Sequence, residues 1–194
     1  MSLEAAVKDN TTEGETGPLK TMFTIEEKRS IAIREAGRAV IFALDSSCAV
    51  SAVQVGPLGN LWSGLCAVSF APSGCNARRE DDSSYAEWLR TCVRGLVAGS
   101  IAVGITSGQS DPEIRVHVGT DDVTRAMTCC LLLPYPTNGR FEYCRLFDQT
   151  IALLRDSATW QRVLALTDAL EQAGRLSGKK LQKYLRSKIV GEAA

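Results

Sequence analysis

The chain has 194 residues, of which 45% are apolar, and its 22 Lys and Arg residues balance 22 Asp and Glu residues. This length and apolar content fit one compact domain with a core and argue against a wholly disordered chain. The zero net charge gives no electrostatic reason to expect nucleic acid or an anionic membrane as a partner.

The cysteines and the N-terminal residues both indicate a soluble, cytoplasmic protein. Seven cysteines without a C-x2-C pair fit reduced thiols better than a disulfide framework. Residues 1–23 are polar and aperiodic, lack the features of a signal peptide, and are interpreted as a flexible tail. The apolar run at residues 96–105 is shorter than the roughly 20 residues that a membrane span needs, so we expect no span.

Apolar residues at helical spacing begin directly after this tail. The first predicted helix covers residues 24–44, where Thr24 and Glu27 form a capping box. Residues 50–69 alternate apolar and polar side chains around Gly-Pro and Gly-Asn pairs. This alternation predicts a β-hairpin or two short strands.

The rest of the chain is predicted to be helical. A second capping box, Ser84 with Glu87, opens a helix whose small residues permit close helix contact: Gly95, Ala98, Gly99 and Ala102. Residues 106–119 are predicted to form a loop, and further helices are expected at 123–132, 141–155, 158–173 and 181–189. The predicted fold is therefore mainly α with a small β-hairpin or sheet, in a single domain over residues 24–190.

The most informative motif lies on the first predicted helix and reads Arg34-Glu35-Ala36-Gly37-Arg38. It resembles the H-E-A-G-H helix of the FtsH-type ATP-dependent zinc metallopeptidases. In that family two histidines at i and i+4 bind zinc, and the glutamate between them polarises the attacking water. Here Arg34 and Arg38 stand at the two histidine positions, and Glu35 remains.

The segments that follow resemble the family's segments in the same order. The stretch VSAVQVGPLGNLWSGLCAVSFAP resembles the strand pair that follows the family's zinc helix. The stretches VRGLVAGSIAVG and GTDDVTRAM resemble the family's next two segments. In the family the last of these carries the third zinc ligand, an aspartate that matches Asp122. The closing pattern matches LTDALEQAGRLSGKKLQKYL, so the resemblance covers residues 24–190 and implies an FtsH-type peptidase-domain fold. The chain has no P-loop motif for the family's ATPase module.

The resemblance also implies that the zinc site is lost. A guanidinium group has no lone pair for a metal, and His117 is the one histidine of the chain, so two histidine ligands cannot be supplied. We expect no metal, no cofactor and a vestigial Glu35 without a catalytic role. An Arg–carboxylate network, in which Asp122 and Glu35 pair with Arg34 or Arg38, is predicted in its place. The alternative is that both arginines point to solvent.

The leading functional hypothesis is a non-catalytic pseudo-peptidase that acts by binding a protein or a peptide. Two alternatives stay open. In the first alternative, the chain is an active metallopeptidase or other hydrolase with an unrecognised site, for example one that uses His117 or a cysteine. Otherwise it is a small anion-binding module, because the paired guanidinium groups of Arg34 and Arg38 suit phosphate or carboxylate.

Overall fold

A computed structural model describes residues 25–46, 48–58, 61–70, 83–133 and 138–186 of the chain. The predicted tail at 1–23, the cap residue Thr24 and the end of the predicted domain at 187–190 lie outside these residues. The described part is mainly α with a small sheet, as predicted. Its elements are, in chain order, α1 (Ile25–Ala43), β1 (Cys48–Leu58), β2 (Leu61–Phe70), α2 (Ser83–Thr106), α3 (Asp111–His117), α4 (Thr120–Leu131), α5 (Gly139–Arg155), α6 (Ser157–Ala173), β3 (Arg175–Ser177) and α7 (Gly178–Arg186).

The predicted hairpin forms the larger part of the sheet. Strands β1 and β2 pair antiparallel, from Cys48 opposite Phe70 to Leu58 opposite Leu61, with a bulge between Val50 and Ala52. The strand order is β2-β1-β3, and β3 pairs antiparallel with β1. Strand β3 was not predicted, because three residues before a helix are too few to show a period of two. Within the described residues β1 is thus the central strand and β2 forms one edge.

Helix α1 lies at the centre of the molecule, against α2, α6 and the hairpin. Its buried residues recur at helical spacing and include Ala32, Ile33, Ala36, Ala39 and Val40. The predicted close contact of small residues is confirmed where α1 meets α2. A Cβ atom at Gly37 would lie 2.7 Å from the Cβ atom of Ala102. The backbones of α1 and α2 therefore pack closely at Gly37, where a larger side chain would not fit.

The prediction of a loop over residues 106–119 is wrong, because α3 lies within it. Ser110 precedes the helix, Pro112 stands in its first turn, and the Glu113 carboxylate accepts a hydrogen bond from the backbone N–H of Ser110 at 2.7 Å. Proline fits the first turn because its missing N–H has no partner there in any case. Helix α2 also begins one residue before the predicted cap, so that Ser84 lies inside its first turn.

Among the described residues one helix, α2, is long and apolar enough to cross a membrane by length and composition alone. In the fold, 61% of its most apolar window is buried. A buried core helix has the same composition, so this observation is weak evidence for a membrane span.

Candidate functional site: the Arg38 cluster

Helices α1 and α4 are joined by an ion pair at the position where the sequence motif lies. Nη2 of Arg38 donates to both carboxylate oxygens of Asp122, at 2.9 and 2.7 Å. Nη1 of the same guanidinium donates to Oε1 of Glu35, one turn earlier on α1, at 3.2 Å. Glu35, Arg38 and Asp122 are called the Arg38 cluster below. The predicted Arg–carboxylate network is therefore confirmed for Arg38.

The cluster is enclosed by the fold. Glu35 is 2% exposed, and the Arg38 side chain keeps 21% of its surface in contact with solvent. Oε2 of Glu35 and Nε of Arg38 are buried and have no hydrogen-bond partner in the described part of the chain. An ion pair in such surroundings is screened far less than a surface pair, so removal of one member leaves a costly unpaired charge.

Burial shifts the pKa of Glu35. It raises the pKa of the Glu35 carboxyl above its ordinary value, although the positive charges of Arg38 and Arg34 lower it in part. The negative charge of Asp122 adds to the rise. When Glu35 takes up a proton, the cluster is reduced to one guanidinium and one carboxylate, whose charges balance.

Two glycines make room for the cluster. A Cβ atom at Gly64 of β2 would lie 2.9 Å from the carboxyl carbon of Glu35. At Gly99 of α2 it would lie 2.7 Å from Cγ of Arg34 and 2.9 Å from Nε of Arg38. Gly99 was predicted only to permit close helix contact, and no role was predicted for Gly64. A glycine inside a strand marks a close approach by another group, and this signal was available in the sequence.

The second arginine of the motif behaves differently from the first. Arg34 is half-buried beside Gly99 and forms no ion pair with the residues that the structure describes. The alternative in which both arginines point to solvent is wrong for Arg38, whose guanidinium lies between two carboxylates. An anion held between Arg34 and Arg38 would have to compete with Asp122 and Glu35 for the same guanidinium.

The residues present at the cluster do not fit zinc. Both oxygens of Asp122 accept hydrogen bonds from Arg38, and guanidinium groups occupy the two motif positions at which the resemblance places histidines. A guanidinium offers donors only and repels a cation. No step of metal-assisted hydrolysis can therefore be derived from these side chains.

The other candidate groups are His117 and the cysteines. His117 is at the exposed end of α3, where Nδ1 lies 2.7 Å from the backbone oxygen of Glu113. Burial, together with the nearby charge of Glu35, raises the pKa of the Cys66 thiol on β2 to about 12. Burial likewise raises the pKa of Cys130 to about 11. Neither thiol is a thiolate near neutral pH, and the thiolate is the nucleophile.

Comparison with models of known protein families and with curated protein sequences finds no match to this chain. The resemblance described above therefore rests on the residues themselves.

Proposed function

We propose that the chain is a non-catalytic, FtsH-peptidase-like domain that acts by binding a protein or a peptide. The observation that supports this best is the Arg38 cluster. In it a guanidinium group bridges Glu35 and Asp122, the residues that the resemblance matches to the catalytic glutamate and the third zinc ligand. The positive charge of the guanidinium replaces that of the metal ion and leaves the two carboxylates paired.

The cluster has the features of a structural ion pair. Glu35 is almost fully enclosed, its Oε1 accepts a hydrogen bond from Arg38, and Gly64 leaves no room for a side chain beside its carboxyl group. A general base must reach the proton that it abstracts, either directly or through one water molecule. Oε1 of Glu35 is bound by Arg38 and Oε2 is buried, so neither oxygen is placed to take a proton from a substrate.

The edge of the sheet offers a place for an extended peptide beside the cluster. Among the described residues β2 pairs with β1 alone, and no described strand uses the N–H and C=O groups of its other edge, which is the kind of edge to which an extended peptide adds. Gly64 places this strand directly over Glu35, and the Leu65 side chain is 60% exposed. A peptide added to β2 would bury Leu65 and lie next to the Arg38 cluster.

The first test measures metal content by elemental analysis of purified protein, together with cleavage of unfolded casein. We expect no stoichiometric zinc and no cleavage. One zinc per chain, or cleavage that survives removal of trace proteases, would contradict the proposal and favour an active hydrolase with another site.

The second test measures binding of fluorescein-labelled unfolded casein by anisotropy. We expect binding that is weakened by Leu65→Asp on β2 and unchanged by Leu153→Asp, an exposed leucine on α5. Absence of binding up to about 0.1 mM protein would overturn the binding part of the proposal, because a dissociation constant above that concentration is weaker than that of ordinary peptide recognition.

A further inference from the structure

A second candidate binding surface uses none of the residues of the Arg38 cluster. Helices α4 and α5, together with Arg115 of α3, line an open cavity of about 370 Å³. The cavity and its rim are called the α4–α5 groove and are lined by Arg115, Val123, Met127, Arg140, Tyr143, Cys144 and Phe147.

The floor of this groove is apolar and shaped by helical spacing. Val123 and Met127 are one turn apart on α4, and Tyr143 and Phe147 are one turn apart on α5. The rings of Tyr143 and Phe147 lie 5.9 Å apart. The groove is large enough for a bulky side chain, and methionine adapts easily to the shape of such a guest.

Two arginines, Arg115 and Arg140, stand at the rim of the groove. The Arg115 guanidinium lies 4.8 Å from the centre of the Phe147 ring and is paired with Asp148. Arg140 is exposed and has no acidic partner within the described ranges. It stands in the first turn of α5, where the helix dipole adds to its positive charge. The groove therefore favours a guest that carries a carboxylate near Arg140.

Exposed apolar side chains around the groove make the apolar surface larger than one small molecule would cover. Phe141 is 67% exposed next to Arg140, and Leu131 and Leu132, at the end of α4, are 72% and 45% exposed. Leu131 also lies beside Gly139, at the start of α5. Aromatic residues, methionine and arginine around an apolar centre are the composition found at the core of protein interfaces.

We propose that the α4–α5 groove docks a short amphipathic segment of a partner protein. One large apolar side chain of that segment enters the groove between Met127 and Phe147, and an aspartate or glutamate of the same segment pairs with Arg140. This inference is independent of the function proposed for the edge of β2, because the two surfaces share no residue.

The test selects binders from a random-peptide display library on the purified full-length chain. The enriched peptides should carry Phe, Leu, Trp or Met within about one helical turn of Asp or Glu. Arg140→Glu should weaken the selected peptides about tenfold, since a charge-assisted contact becomes a repulsion. The matched control is Arg125→Glu, which changes an exposed arginine of α4 outside the groove and should leave binding within twofold.

A reversed charge gives the strongest arm of the test. Peptides in which the acidic residue is replaced by Lys should bind the Arg140→Glu variant better than the original chain. A bound peptide should also slow alkylation of Cys144, which lines the groove. If the library yields no enriched peptides, or peptides whose binding is indifferent to Arg140→Glu and to the charge reversal, the proposal is overturned. Circular dichroism of each variant confirms that the fold is kept.

Discussion

At the scale of single residues, the side chain of Arg38 explains how charge is held inside this fold. A buried guanidinium is tolerated only when carboxylates and hydrogen bonds compensate its desolvation. Asp122 supplies most of this compensation from α4, and Glu35 supplies the rest from α1. The sequence alone pointed to these partners because the spacing of the motif sets Arg38 on the same helix face as Arg34, and Asp122 matched the third ligand position. It could not decide which arginine would be paired, since that depends on how α4 docks against α1.

Replacing Asp122 should therefore destabilise the protein. Asp122→Ala leaves the Arg38 guanidinium without its main partner and should lower the free energy of unfolding by more than about 1 kcal/mol. The matched control is Asp121→Ala, which removes an exposed carboxylate from the same first turn of α4 and should change stability by less than about 0.5 kcal/mol. Urea unfolding followed by circular dichroism measures both. Equal effects of the two substitutions would show that the cluster contributes nothing beyond the helix dipole.

Replacing Glu35 should change the pH dependence of stability. Burial raises the pKa of this carboxyl in the folded protein above 4.5, so its contribution is fully present below the unfolded pKa and is lost as pH rises through the folded pKa. Glu35→Gln, which carries no charge at any pH, should accordingly gain stability relative to the original chain as pH rises. Urea midpoints measured at about pH 4 and about pH 7.5 give this difference.

Glu142→Gln provides a control of opposite sign. Hydrogen bonds from Arg145 and Arg90 lower the pKa of Glu142, so its contribution is present above the unfolded pKa and is lost as pH falls through the folded pKa. As pH rises, the stability of the original chain should therefore increase relative to that of the Glu142→Gln variant. If the stability difference between Glu35→Gln and the original chain changes with pH in the same direction as that of Glu142→Gln, burial does not dominate the pKa of Glu35.

At the scale of the elements, periodic apolar residues made the long helices and the hairpin predictable, whereas short elements were missed. Ser110, Pro112 and Glu113 are ordinary signals of a helix start, but the seven residues of α3 are too few to show a helical period. Strand β3 is fixed by pairing with β1, for example Leu176 with Val53, and no local pattern encodes that contact. Tertiary packing decides such elements.

The packing of β2 on α1 gives a prediction at this scale. In Gly64→Ala the new methyl group would meet the buried Glu35 side chain, so the variant should lose about 1–3 kcal/mol of stability by overpacking. Gly56→Ala is the matched control on β1, because a Cβ atom there meets nothing within 4 Å. Thermal melts of both variants, repeated in a Glu35→Ala background, should show the Gly64→Ala loss shrink. A loss of equal size in both backgrounds would mean that Glu35 is not the group displaced.

At the scale of the whole molecule, the order of segments and the contact of α1 with α4 are what the proposed relation to FtsH-type peptidases requires. Three positions that are separate in sequence, Arg34, Arg38 and Asp122, must face one point for that relation to hold. Arg38 and Asp122 are in contact, and Arg34 lies one turn before Arg38 on the same face of α1. The proposed relation therefore requires that these three positions converge, and substitutions can test this without any natural substrate.

The proposed relation predicts that two histidines in the motif create a metal site. The double substitution Arg34→His and Arg38→His creates two imidazoles at i and i+4, with Asp122 as a third ligand and water as a fourth, a set suited to zinc. We expect the double variant to bind one zinc ion per chain by elemental analysis. Zinc at about 100 times its dissociation constant should also stabilise the variant by about 2.7 kcal/mol, whereas the original chain should show neither effect. Adding Asp122→Ala to the double variant should weaken the affinity, and Asp121→Ala should not. A double variant that is folded by circular dichroism but binds no zinc would show that these positions do not converge as in the peptidase family, and the proposed relation would fail with it.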